Sequence, residues 1–365
     1  MKHLSHSSYY CGASHKADGR EVQDYAGSLV IPLDDGTEAV VLSVSDGHGS
    51  KQHCRSASGS RMAVETCLEV LSAYRSQLNE QECDAFSIHG VGEDYCNDTE
   101  KLVREIIALI MAKWSRRVLE HLKESPLKSL MPGARAYGCT LLGAFVSERF
   151  WLVFQLGDGA CACLDRNGKP CFPVPDDERC CCNVTTSMCS QGVDDFRFVY
   201  GSKVPAAVML CSDGVENSFL SREKLGTEFF VPLIAEIDSK GMAAVKADIA
   251  ESLPLISERY SRDDVSLAFW TTEENAARLA PALEAIHVTC RKMELQRLKA
   301  DLDYCTGDIN RIEADIADFN DEDENDAAEL IRKHSVLATL RRQERELRED
   351  IEYLETAIQN FYYED

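Results

Sequence analysis

The stretch VVLSVSDGHGS, residues 40–50, runs an apolar strand into Asp46-Gly47-His48-Gly49. A strand end of this kind places a carboxylate where a tight glycine turn also exposes a backbone carbonyl. Such oxygen donors suit a hard cation, Mg²⁺ or Mn²⁺, which keeps several of its waters. Asp46 and the Gly47 carbonyl are the candidate ligands, and His48 stands beside them as a candidate proton donor. Taken alone, Asp-Gly after a strand is an ordinary turn, so the reading depends on whether the pattern recurs.

It recurs in AAVMLCSDGVENSF (206–219), in FWLVFQLGDGACACLDRNG (150–168) and in SRDDVSLAFW (261–270), where two aspartates precede a β-rich run. A hairpin Asp-Gly joins two strands at once, whereas Asp46 and Asp213 each lead into helical sequence. Four acidic strand ends, carried by Asp46, Asp158, Asp213 and the Asp263-Asp264 pair, therefore read together as a metal site.

Working outward, apolar runs bounded by turn residues predict strands at 27–33, 39–45, 139–146, 150–156, 160–164, 206–211 and 265–270. Helical apolar spacing predicts helices at 55–74, 99–123, 229–238 and 242–255. Long helices between groups of hairpin-like strands indicate an α+β layered domain rather than a regular strand and helix alternation. From about Glu273 the strand signals stop, so the site candidates fall in a domain spanning 1–272 and a helical tail spans 273–365. In the tail, Leu295, Leu298, Leu302, Cys305, Ile309, Ile312, Ile316 and Phe319 recur at steps of three and four, and Leu330 to Phe361 resumes that spacing. The polar run NDEDEND (320–326) separates them, giving an antiparallel coiled-coil hairpin with an acidic turn. Its narrow apolar stripes need a partner: each other, the domain, or a second chain. Segment 290–361 is accordingly a candidate for homodimerisation or partner docking.

Hydrophobic residues make up 44% and charged residues 28% of the 365-residue chain, enough for a real core. The net charge of −23, roughly half of it in the tail, argues against nucleic acid or an anionic membrane surface as the main partner. The start MKHLSHSSYYCGASHK lacks a secretory apolar core and no run of 18 apolar residues follows, so a cytoplasmic location is expected. In that compartment the 16 cysteines stay reduced, most as small apolar filler. Cys180-Cys181-Cys182 lacks the two-residue gap of a zinc knuckle, and no Cys and Arg bracket a phosphate loop.

These motifs, in this order, resemble the protein phosphatase 2C family of metal-dependent Ser/Thr phosphatases over roughly residues 8–271. GCTLLGAFVSERFWLVFQLGDGACACLDRNG (138–168) is among the most specific parts, and GASHKADGREVQD (12–24) with DGHGSK (46–51) resembles a bacterial branch. The resemblance implies a four-layer α-β-β-α sandwich of two antiparallel sheets flanked by helices. It also implies two Mn²⁺ or Mg²⁺ ions, with Asp46 bridging, the Gly47 carbonyl on one, and Asp213 and Asp263 on the other. Asp158, with Asp213, matches a third and weaker metal position; His48 matches the general acid; Asp264 occupies a place where the family has Asn. The segment 173–199 resembles the family's flap. Implied partners are a phosphorylated protein substrate and a Ser/Thr kinase.

One departure stands out. The family's N-terminal pair is Glu-Asp with the Glu on a metal, whereas this chain has Gln23-Asp24, which makes Asp24 the candidate replacement ligand. The phosphate-binding Arg that precedes the pair is also offset, leaving Arg20, His15 and Lys16 as candidates. The expected reaction is hydrolysis of phosphoserine and phosphothreonine by metal-activated water, with His48 protonating the alkoxide, a contribution of about 10²–10⁴ in rate. The competing readings are a pseudophosphatase or binding module acting through the coiled-coil arm, and a hydrolase of small phosphoesters.

Overall fold

The computed structural model describes residues 1–83, 87–89, 97–127, 133–180, 184–317 and 324–363. Two compact units divide the chain, Met1–Leu283 and Glu284–Asp365.

Among the described residues, eleven strands form the first unit's two antiparallel sheets: β1 (His3–Tyr10), β2 (Tyr25–Pro32), β3 (Glu38–Ser45), β4 (Ser87–His89), β5 (Leu141–Val146), β6 (Trp151–Leu156), β7 (Ala160–Leu164), β8 (Pro170–Cys171), β9 (Arg197–Gly201), β10 (Ala207–Cys211) and β11 (Val265–Thr272). One sheet has five strands in the order β1-β11-β10-β7-β8, and the other has six in the order β2-β3-β5-β6-β9-β4. Strand alternation explains why the central strands read as continuous apolar runs: both faces are covered. In β3, Val40, Leu42 and Val44 face the core between the sheets, where Val208, Leu210, Ala268 and Trp270 of the other sheet meet them. Ala39 and Val41 point the opposite way, into a core shared with Val70, Ile106, Ile110 and Trp114. Those residues come from the long helices Ser56–Ala73 and Asp98–Glu124. The other sheet is covered by helix Met242–Ile256, which packs on β1 and β11 and on helix Val231–Lys240. The layers run α-β-β-α, as expected.

Four strands, β1, β4, β8 and β9, escape sequence patterning, and two of them are instructive. HLSHSSYY forms β1, an edge strand paired, among the described residues, with β11 alone from His3↔Thr272 to Tyr10↔Val265, so half-buried polar residues suffice. Arg197–Gly201, partly within the expected flap, is a buried strand between β6 and β4.

Helix Asp98–Glu124 begins at Asn97, whose side-chain oxygen accepts a hydrogen bond from the Glu100 backbone N–H at 2.8 Å. Asn97→Ala should therefore cost about 1 kcal/mol, read as a lower urea midpoint with unchanged slope. An unmoved midpoint would show that the cap contributes nothing.

The second unit is an antiparallel helix pair drawn from Glu273–Ala317 and Glu324–Tyr363. Its direction follows from the contacts: Lys299 pairs with Glu355 while Arg341 pairs with Glu313. Cys305, Ile309 and Leu337 form its small core, flanked by Ile312, Ile316, Leu340 and Leu347. Phe319 and most of the expected 320–326 turn lie outside the described residues. Among the described residues, no helix is long and apolar enough to cross a membrane.

Candidate active site

At the end of β3, Asp46 is locked to the neighbouring strand: its N–H donates to Thr140 Oγ1 at 2.9 Å and its carbonyl accepts from Thr140 N at 2.8 Å. Gly47 must be glycine, since a Cβ there would lie 2.6 Å from the Gln23 carbonyl oxygen. That approach brings the N-terminal motif against the DGHG turn. The Gly157-Asp158-Gly159 turn has φ of 93° and 90° at its glycines, a left-handed geometry that glycine adopts without strain. A Cβ on Gly159 would also lie 2.6 Å from the Cys211 carbonyl at the end of β10. Asp213 follows as the first residue of a short helix, and Asp263 precedes β11.

Asp46, Asp158, Asp213 and Asp263 all line one cleft of about 1030 Å³, together with His48, Gln23, Arg20, His15 and Arg135. Their proximity registers electrostatically. Burial, then the charges of Asp24, Asp213, Asp158 and Asp263, raise the Asp46 pKa well above the carboxylate range. Burial, then Asp158 and Asp263, push Asp213 up to about 7. Asp158 is raised chiefly by burial, and its Oδ1 is buried without a hydrogen-bond partner. A cluster of carboxylates that repel one another, with an orphaned oxygen among them, fits hard divalent cations. Among the described residues, no group of three or more His, Cys, Asp or Glu side chains has the geometry of a preformed metal site.

The Asp263-Asp264 and Gln23-Asp24 pairs each divide between two environments. Asp263 is 56% exposed at the cleft, while Asp264 is buried and accepts hydrogen bonds from Gly12 N at 2.6 Å and Gln23 N at 2.5 Å. Asp264 also pairs with His15 Nδ1 at 2.9 Å. Burial pushes Asp264 upward, but the hydrogen bonds from His15, Gly12 and Gln23 together hold it below the usual range. Gln23 lines the cleft, and its side-chain carbonyl oxygen is buried without a hydrogen-bond partner. Asp24 is buried and outside the cleft lining; its Oδ2 accepts from Ser266 Oγ at 2.7 Å. Burial, then the Asp264 charge, raise Asp24 to about 7.

The remaining candidates separate clearly. Arg20 lines the cleft and bonds Asp18 at 2.8 Å. His15 lines it too, but is committed to Asp264. Lys16 is not among the lining residues; its ammonium lies over the Tyr10 ring and bonds the Tyr10 hydroxyl. His48 stacks edge-on against His53, ring centroids 4.9 Å apart, and burial with the His53 charge lowers it to about 4. The resting imidazole is therefore neutral at pH 7 and must gain a proton before it serves as an acid. Burial pushes the Cys67 and Cys139 thiols up to about 12, consistent with core filling. Cys181 and Cys182 lie outside the described residues.

Sequence reasoning missed Arg197. Buried in β9, it donates through Nη2 to the Gly157 carbonyl at 2.5 Å and through Nη1 to the Pro175 carbonyl at 2.6 Å. It thereby ties the segment after β8 to the turn that carries Asp158. An arginine opening a short apolar run, RFVYG, was the available signal.

Two antiparallel sheets between helical layers, with a carboxylate cleft built from strand ends, define a two-sheet α+β domain with an acidic cleft. A sequence profile described as Protein phosphatase 2C matches residues 11–253, so the chain belongs to the protein phosphatase 2C family and is a protein serine/threonine phosphatase. Similar solved structures include a bacterial serine phosphatase at 12% identity, covering 74% of this chain and 97% of that one with a TM-score of 0.46. Another is the serine/threonine phosphatase Stp1 from Staphylococcus aureus, at 14% identity, 75% and 96% coverage and a TM-score of 0.45. A third is the catalytic domain of the serine threonine protein phosphatase PstP in complex with two manganese ions, at 14% identity, 74% and 98% coverage and a TM-score of 0.41. No curated protein matches the chain.

Proposed function

We propose that this phosphatase is metal-dependent and hydrolyses phosphoserine and phosphothreonine in proteins by direct attack of water. The observation that carries the reading is the convergence of Asp46, Asp158, Asp213 and Asp263 on one cleft, with Asp46 and Asp213 raised by burial and mutual repulsion. Divalent cations bound there would supply an acidified water and neutralise charge on the phosphoryl oxygens. The ligands in this reading are those carboxylates and the Gly47 carbonyl, with Gln23 adding a neutral oxygen where the family's Glu would stand. Asp24 supports the cluster from beneath, and Asp264 positions the Gly12–Gln23 segment. Arg20 flanks the cleft as the group for phosphate oxygens, and His48, neutral at rest, would take up the proton that the attacking water gives up and pass it to the leaving serine or threonine oxygen. The substrates are phosphoproteins produced by Ser/Thr kinases.

Chelation should abolish hydrolysis of p-nitrophenyl phosphate and of a phosphothreonine peptide, and Mn²⁺ should restore both. Because cations relieve repulsion in the folded state only, Mn²⁺ at about 100 times its Kd should add about 2.7 kcal/mol to unfolding stability. Activity that survives chelation, with no stabilisation by Mn²⁺, would overturn the reading.

A further inference from the structure

We infer that the Arg135 guanidinium reads an acidic side chain beside the phosphorylated residue, so that the substrates are phosphopeptides bearing Asp or Glu near the phosphosite. The inference rests on the phosphatase reading above and names the substrate class of the same cleft.

Arg135 lies on the turn Gly133–Tyr137 and lines the cleft. That turn is held rigidly. The Arg135 carbonyl meets His53 Nδ1 at 2.6 Å, and the Ala136 carbonyl accepts from Arg55 N at 2.8 Å. Tyr137 is fully buried, and its hydroxyl accepts from Arg55 Nη1 at 2.7 Å. Helix Ser56–Ala73 presses so closely on the turn that a Cβ on Gly59 would lie 2.1 Å from the Tyr137 carbonyl oxygen. The guanidinium is thus displayed from a fixed base.

It is also uncommitted: among the described residues, no carboxylate pairs with it. Arg20 in the same cleft is held by Asp18, and Arg104, Arg117 and Arg179 elsewhere each pair with carboxylates. Contacts run from the DGHG turn through the His48 ring to His53 and on to the Arg135 backbone. The His48 and His53 rings thus separate the Arg135 backbone from the DGHG turn, and the inference sets the Arg135 side chain, which lines the same cleft, against residues flanking the phosphosite. The lining residues Val184, Ser187, Cys189 and Ser190 carry no charge, and the carboxylates lining the cleft are the four proposed to hold cations. An incoming Asp or Glu would thus meet a planar fork suited to two parallel hydrogen bonds and no competing acid.

The test uses phosphothreonine peptides of one length carrying Glu, Ala or Lys beside the phosphosite, with p-nitrophenyl phosphate as reference. The wild type should favour the Glu peptide over the Lys peptide by roughly tenfold in kcat/KM, less at high salt. Arg135→Glu should invert the order, and Arg135→Lys should keep it with a smaller ratio. Because each ratio is taken within one variant, a general loss of activity cancels. Equal rates on all three peptides in the wild type, or an Arg135→Glu enzyme that keeps the wild-type ratio, overturn the inference. Absence of Mn²⁺-dependent p-nitrophenyl phosphate hydrolysis by the wild type overturns the phosphatase reading, and this inference with it.

Discussion

Asp46→Ala should lower Mn²⁺-dependent kcat on p-nitrophenyl phosphate and on a phosphothreonine peptide by roughly 10³-fold or more, the scale of losing a group that fixes charge at the reacting centre. The same substitution should leave the metal-free protein at least as stable as the wild type. Asp46 is raised by burial and by Asp24, Asp213, Asp158 and Asp263 together, so in metal-free buffer its charge works against folding. Removing it relieves repulsion that cations would otherwise offset, the usual opposition of stability and function at an active site. Urea unfolding in EDTA and steady-state assays in Mn²⁺ measure the two effects. A mutant that keeps its kcat would remove Asp46 from the site. A mutant that loses both activity and metal-free stability would show a structural rather than a chemical role.

The central sheet strands and the acidic strand ends were legible in the sequence because both depend on local pattern. β3 reads VVLSVS because alternate residues meet two different cores, and the carboxylate that follows must sit where the strand stops. β1 was not legible, since an edge strand with polar half-buried residues has no apolar signature and is specified by its partner β11. The finer assignments failed to show for a related reason. In Gln23-Asp24 and in Asp263-Asp264, adjacent residues occupy different environments, and a sequence alone does not say which one faces the cleft. Arg262, at φ 62°, is the one non-glycine residue with positive φ among the described residues, and it sets the direction of the turn before β11.

Asp264→Ala should destabilise the metal-free protein by about 3–5 kcal/mol, the cost of leaving buried partners of a charge without it. The carboxylate takes hydrogen bonds from two backbone N–H groups, Gly12 and Gln23, and pairs with His15, tying the chain before β2 to the end of the loop before β11. Gly12 has no room for an alternative arrangement: a Cβ there would lie 2.4 Å from the Asp263 carbonyl carbon. Loss of Asp264 should also free Gln23 and weaken Mn²⁺ binding, so the affinity change by itself does not separate an organiser from a ligand. Metal-free stability does. A ligand carboxylate in a mutually repelling cluster should leave the apo protein unchanged or steadier when removed, as expected for Asp46. An organiser should make it weaker. Asp264→Asn, which keeps one acceptor oxygen but loses the charge opposite His15, should fall between wild type and Asp264→Ala in the urea midpoint measured in EDTA. An Asp264→Ala protein as stable as the wild type in EDTA would place this carboxylate with the metal ligands instead.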